Sequence, residues 1–207
     1  TTGKVYNTVS YDTLTKLPSR PNFKFTGWYT DRECKQPYSP KLLMNSLDLY
    51  AGWEQTAFDV SYFYKDAKNV ETQFGTTETY KVKSDVTVRT AHPEKEGYTF
   101  TCWTNIANIV TVDADGKFKM PADNVRFDAT FKINKYNVTY KVDGKEVGTD
   151  VYNFNSDVVI RPVPTKEGYT FTGWKIGTAD AENFTMPAHG VTIKGTFAIN
   201  RYTVTYK

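Results

Sequence analysis

Short runs of alternating apolar and polar residues recur along this chain, and turn residues separate them. A period of two places every second side chain on one face, so each run reads as a half-buried β-strand. The clearest stretch is YNVTYKVDGKEVG, in which Asp143-Gly144 sits between two alternating runs. Asp-Gly there predicts a hairpin, because a type I′ turn needs positive φ at both central residues. After a turn at Asn155-Ser156-Asp157, VVIRP reads as a short strand ended by Pro162. YTFTGW follows, with Tyr169, Phe171 and Gly173 assigned to one face and Thr170, Thr172 and Trp174 to the other. VTIKGTF supplies the last strand, after the turn in FTMPAHG. Thr, Val, Tyr and Phe dominate these runs, as strands prefer. A helical period is not sustained anywhere, and the one helical turn expected lies around Pro40 to Asn45.

The pattern also repeats. KEGYTFTCW at Lys95–Trp103 returns as KEGYTFTGW at Lys166–Trp174, 71 residues on, and FKMPADNVRFDATFKINKYNVTYK from Phe118 returns from Phe184, 66 residues on. Self-similarity at such a spacing decides architecture before any local reading. Three units are expected: residues 1–56, 57–134 and 135–200, with 201–207 opening a next, truncated one. In the first unit PNFKFTGW and LDLYAGW take the places of YTFTGW and VTIKGTF, and no convincing first strand precedes VSYDTLTKLPSRP. The tail RYTVTYK alternates as a first strand should, and is expected to fray or to add to a sheet edge.

Composition narrows the class. A unit near 60 residues buries only about 60% of its unfolded surface, so large rings must carry the core, and 15 Tyr, 13 Phe and 4 Trp are available. The net charge is +3, with both signs interspersed and no basic run, which argues against nucleic acid as a partner. No apolar run is long enough to span a membrane within this stretch. Cys34 and Cys102 fall at non-equivalent places, Cys102 standing where the sister copy has Gly173. Both are read as thiols, since a disulfide needs Cα atoms within about 7 Å.

TKEGYTFTGW followed by MPAHGVTI, together with FKFTGWYTDRECKQPY and LDLYAGW, resembles the Listeria–Bacteroides repeat, the B-repeat of internalin-type proteins with its divergent branch. The resemblance covers about 190 residues; Cys102 in place of the usual Gly and the long second unit depart from it. It implies a mainly β fold: small α+β, β-grasp-like modules with little helix and a mostly antiparallel sheet, three in tandem as an elongated array. It also implies an extracellular place on a bacterial surface, with any cell-wall anchor outside this stretch.

Candidate sites are few. Trp28, Trp103 and Trp174 are equivalent, with Trp53 in the place of Phe131 and Phe197. They are either ring platforms for sugar or, because every unit repeats them, the anchors of separate cores; the second reading is favoured. Asp113-Ala114-Asp115-Gly116 lacks the further ligands of a calcium loop, Asn124 standing where a Glu is needed, and reads as a hairpin turn. His92 and His189 are non-equivalent and suit exposed turns better than a zinc site. A nucleophile should break the repeat together with a matching base, and Cys102 breaks it alone; no phosphate loop is present either, so catalysis, metal and cofactor are not expected. The sequons at Asn137 and Asn183 carry no meaning in a bacterial setting. Two functions remain: a stalk whose modules contact mainly their neighbours, or a module that grips a host protein or glycan through exposed rings such as Tyr38 or Tyr64. FKINKYN and FAINRYT lack the Gly/Ser richness of flexible linkers.

Overall fold

The computed structural model describes residues 17–39 and 47–207. The expected turn around Pro40 to Asn45 and the start of the first unit lie outside the described residues. Among the described residues there is no helix, so none is long and apolar enough to cross a membrane. The fold is mainly β.

The chain divides into two compact units. One reaches to Phe63 and takes in Gln73–Ala91 and Trp103–Asp128; the other takes in Tyr64–Thr72, His92–Cys102 and Ala129–Lys207. The early strands are β1 (Phe23–Tyr29), β2 (Tyr50–Gln55), β3 (Ala57–Lys65), β4 (Glu71–Gln73), β5 (Glu78–Lys81), β6 (Asp85–Thr87), β7 (Tyr98–Thr104), β8 (Lys117–Lys119) and β9 (Val125–Ile133). In the first unit β1 and β2 form an antiparallel ribbon with a register shift between Phe25 and Gly27. β3 pairs with β5 antiparallel and with β9 in parallel, Tyr62 facing Phe127. β6 and β8 make a short antiparallel pair. Val60, Tyr62, Val86, Phe118, Met120, Val125 and Phe127 close the core, with Trp103 and Phe74 packed against it.

The second unit holds β10 (Lys135–Val142), β11 (Lys145–Asn153), β12 (Asp157–Val158), β13 (Tyr169–Phe171), β14 (Lys175–Ile176), β15 (Ala179–Asp180), β16 (Phe184–Thr185), β17 (Val191–Gly195) and β18 (Phe197–Ile199). Its main sheet runs β11-β10-β17-β14-β15, with β10 and β17 parallel at the centre. The Asp143-Gly144 hairpin forms as expected, with φ of 50° and 80°. Val138, Tyr140, Val158, Trp174, Met186 and Ile193 form the core. β12 pairs with β16 and β13 with β18.

One face assignment is corrected. Strict alternation put Trp174 with Thr170 and Thr172, yet Thr172 is exposed and Trp174 is buried beside Phe171, ring centroids 4.9 Å apart. β13 ends at Phe171, and Gly173, just before Trp174, has φ +98°, a conformation L side chains rarely adopt. The broken phase turns the indole back onto the face of Phe171. The tail from Arg201 to Lys207 pairs with no strand, and Tyr202, Val204 and Tyr206 are exposed.

Candidate functional site

Two features recur, one inside the cores and one at the connectors. Within each core a buried tyrosine stands at the centre: Tyr62 and Tyr140, both fully buried. Each meets a tryptophan edge to face, Tyr62 with Trp103 at 5.0 Å and Tyr140 with Trp174 at 5.3 Å. Such pairs contribute about 0.5–1.5 kcal/mol beyond the area they bury. Each tyrosine hydroxyl accepts a backbone N–H, from Arg89 at 3.1 Å and from Arg161 at 3.3 Å. The same arginines lay their guanidinium over the ring they serve, 4.6 Å from its centroid in both cases.

The arginines are held from outside by carboxylates. Arg89 pairs with Glu78 and also donates to Phe74 O at 2.7 Å and Thr76 O at 3.1 Å. Arg161 grips Asp150 twice, through Nε at 2.9 Å and Nη2 at 2.5 Å. Glycine makes room for each guanidinium: a Cβ on Gly75 would overlap Arg89, and one on Gly148 would overlap Arg161. Arg161's hydrogen bond holds the Asp150 carboxyl below its usual range. Burial pushes Glu78 up, but the hydrogen bonds from Arg89 and Tyr80 outweigh it, so the net shift is down. Tyr80, donating to Glu78 at 2.7 Å, is in turn pushed up to about 12. The sequence reading missed these arginines and carboxylates. The signal was available: Glu78 to Arg89 and Asp150 to Arg161 share one spacing of 11 residues.

The second feature is a connector residue between β2 and β3, between β9 and β10, and after β18. Thr56 N–H donates to Asn22 O at 3.0 Å, Asn134 N–H to Gly97 O at 2.9 Å and Asn200 N–H to Gly168 O at 2.8 Å. The acceptors share a left-handed backbone, with φ of 64° at Asn22, 73° at Gly97 and 74° at Gly168. Two connectors are also held from the far side. Thr56 O accepts Val82 N–H at 3.0 Å, and Asn134 O accepts Phe154 N–H at 2.9 Å. The Asn134 side chain accepts Thr99 Oγ1–H at 2.6 Å, as Asn200 accepts Thr170 Oγ1–H at 2.7 Å. Phe154 lies on Gly97 so closely that a Cβ there would overlap its ring, and it meets Tyr98 edge to face at 6.0 Å.

Trp103 and Trp174 belong with the two cores, while Trp28 and Trp53 meet Phe25 edge to face. Trp174 is buried; Trp28, Trp53 and Trp103 are half-buried. Trp103 donates to Ala91 O at 3.3 Å and Trp174 to Pro162 O at 3.5 Å. Tyr38 and Tyr64, expected as exposed anchors, are both half-buried, so that expectation is corrected. Asp113 makes a turn: its Oδ1 accepts N–H from Asp115 at 3.0 Å and Lys117 at 2.8 Å, with Gly116 at φ 76°. His92 is exposed and stacks on Phe100 at 4.4 Å; His189 is exposed at its turn. Cys34 and Cys102 are not joined in a disulfide. Among the described residues no three His, Cys, Asp or Glu side chains gather as metal ligands would.

Two β cores of one repeated internal design, with a connector residue repeated along the chain, define a tandem repeat protein. The chain belongs to the Listeria-Bacteroides repeat domain family, which it matches over residues 1–52 and 136–195, while 66–135 match the divergent InlB B-repeat domain. It is 31% identical to Internalin H of Listeria monocytogenes over 90% of this chain and 32% of that one. It is 29% identical to a putative Gly-rich membrane protein of Evansella cellulosilytica over 91% of this chain and 24% of that one. The chain thus spans a third or less of the curated relatives it matches. Among solved structures, domains 3-4 of the streptococcal high identity repeats in tandem from a cell surface protein align with 69% of this chain and 98% of theirs, at 15% identity and a TM-score of 0.29.

Proposed function

We propose that this chain is a non-catalytic spacer of a bacterial cell-surface protein, its three modules carrying another domain away from the cell. The observation that supports this is the connector. A flexible linker leaves its backbone to water; here Asn134 is bonded through its N–H, its carbonyl and its side chain, all within one compact unit. A residue so held has no free φ/ψ to spend on swivelling, so reach scales with the number of modules. Neighbouring repeats of the same chain are then each module's first partners, and the extracellular surface is the place where such reach is useful.

Small-angle scattering tests this on the intact chain and on a variant with Gly-Ser-Gly inserted after Asn134. The chain should scatter as one conformation and the variant as a broad ensemble. Equal breadth in both would sink the spacer reading.

A second reading is that the chain itself binds a host protein or glycan. An open groove of about 350 Å³ lined by Val142, Pro162, Pro164, Lys166, Trp174 and Phe197 favours it, since apolar walls with a cation suit a ligand. Saturable binding to a glycan array, lost on Lys166→Ala, would establish that function in place of the spacer.

A further inference from the structure

The three connectors are alike on their near side and differ on their far side. At Asn134 the far side is closed by Phe154, and Gly97 beneath it is buried. At Asn200 the near side is complete, with bonds to Gly168 O and Thr170 Oγ1. Gly168 nevertheless stays exposed, and among the described residues nothing lies within 4 Å of where its Cβ would be. Lys166 is exposed where the equivalent Lys95 is half-buried. The tail reaches this patch only at Asn200, whose Nδ2–H donates to Tyr202 Oη at 3.3 Å, and it leaves Gly168 open.

We infer that Gly168, Tyr169 and Asn200 form a docking surface for a further β module of this kind, which seats an aromatic side chain on Gly168 as Phe154 sits on Gly97. This rests on the spacer reading for its choice of partner. The size of the seated group follows from the chain's own two examples. Where the left-handed turn residue is Gly97, with no side chain, the group above the connector is the large Phe154. Where it is Asn22, which has one, the group is the smaller Val82. Gly168 has no side chain and the same φ as Gly97, 74° against 73°, so the surface takes an aromatic ring in preference to valine. The other partners recur in kind: Asn200 stands in the place of Asn134, and Tyr169 in that of Tyr98.

The test extends the chain, replacing residues 201–207 by a second copy of 135–200, and follows amide hydrogen exchange. The Phe154 amide of the appended copy should exchange about tenfold or more slowly than in the same protein carrying Phe154→Ala in that copy, as a cooperative contact requires. Gly168→Asn, which the left-handed backbone tolerates as it does at Asn22, should remove the protection, and Phe154→Val in the appended copy should partly restore it. The Phe154→Ala variant leaves the preceding module untouched, so it decides the matter even if Gly168→Asn perturbs folding. Unchanged exchange in that variant overturns the docking surface. Scattering separates this from the spacer reading: a single conformation with silent substitutions refutes the docking surface alone, whereas a broad ensemble in the original chain refutes the spacer.

Discussion

The core around Tyr62 and the core around Tyr140 are two executions of one design, and one difference between them lies just before the tryptophan. Val60 and Val138, Val86 and Val158, and Met120 and Met186 occupy matching places, and all are buried. At the tryptophan the copies part. β13 stops at Phe171, Gly173 takes φ +98°, and Trp174 turns inward against Phe171 and Tyr140. Cys102 has no positive φ; β7 runs on through it to Thr104, and Trp103 stays half-buried against Tyr62 and Phe74. Gly27, at φ 142°, also precedes its tryptophan, yet Trp28 is half-buried like Trp103. The lesson is that the glycine permits the inward turn of the ring, and the packing around it sets the depth.

The largest effect should come from truncating the rings. Trp174→Ala should cost about 3–5 kcal/mol, as large aromatics in cores do, and Trp103→Ala visibly less, because part of its ring already meets water. Urea unfolding followed by exchange of amides in each core measures both; equal losses would break the comparison.

Exchanging the preceding residues should sharpen it. Gly173→Cys forces a side chain into a strained conformation, at about 1–3 kcal/mol. Cys102→Gly loosens a strand that needs no such freedom, at about 0.5–1 kcal/mol. The unfolding midpoints of the two variants should therefore shift unequally, the glycine loss being the worse.

The arginines come next. Arg89→Lys should cost about 1–3 kcal/mol through lost charge-assisted bonds, since an ammonium cannot reach Phe74 O, Thr76 O and Glu78 together. Arg161→Lys should cost less, because its side chain is 35% exposed against 17% for Arg89. Thermal melts of the two variants rank them, and the reverse order would contradict the difference in burial.

The smallest effects are titrations. Tyr80 holds its proton up to about 12 in the folded chain, above an ordinary value near 10. Its contribution is therefore whole below about pH 10 and is lost as pH rises from there to about 12. Tyr80→Phe should flatten alkaline stability in that window. Asp150 and Glu78 are shifted down, so their contribution is whole above the ordinary carboxylate pKa and fades as pH falls below about 4. Asp150→Asn should blunt the acid loss in its own core and leave the Tyr62 core unchanged.

Much of this was legible beforehand. Period-two runs gave β-strands, Asp143-Gly144 gave its hairpin, and the doubled segments gave two cores of matching residues, because each signal is local and backbone geometry answers it locally. The phase break at Gly173 was not legible, since glycine permits a left-handed turn without requiring it. Tyr38 and Tyr64 could not be placed either, because alternation assigns a face but not what covers that face. The guanidiniums over Tyr62 and Tyr140 are long-range: Arg89 and Arg161 reach rings 27 and 21 residues away, through spaces left by Gly75 and Gly148. The connectors depend on tertiary structure for the same reason. Asn134 reads as an ordinary polar residue between two strands. Only the folded chain brings Gly97, Thr99 and Phe154 around it, because hydrogen bonds between distant segments follow from packing and not from the order of residues.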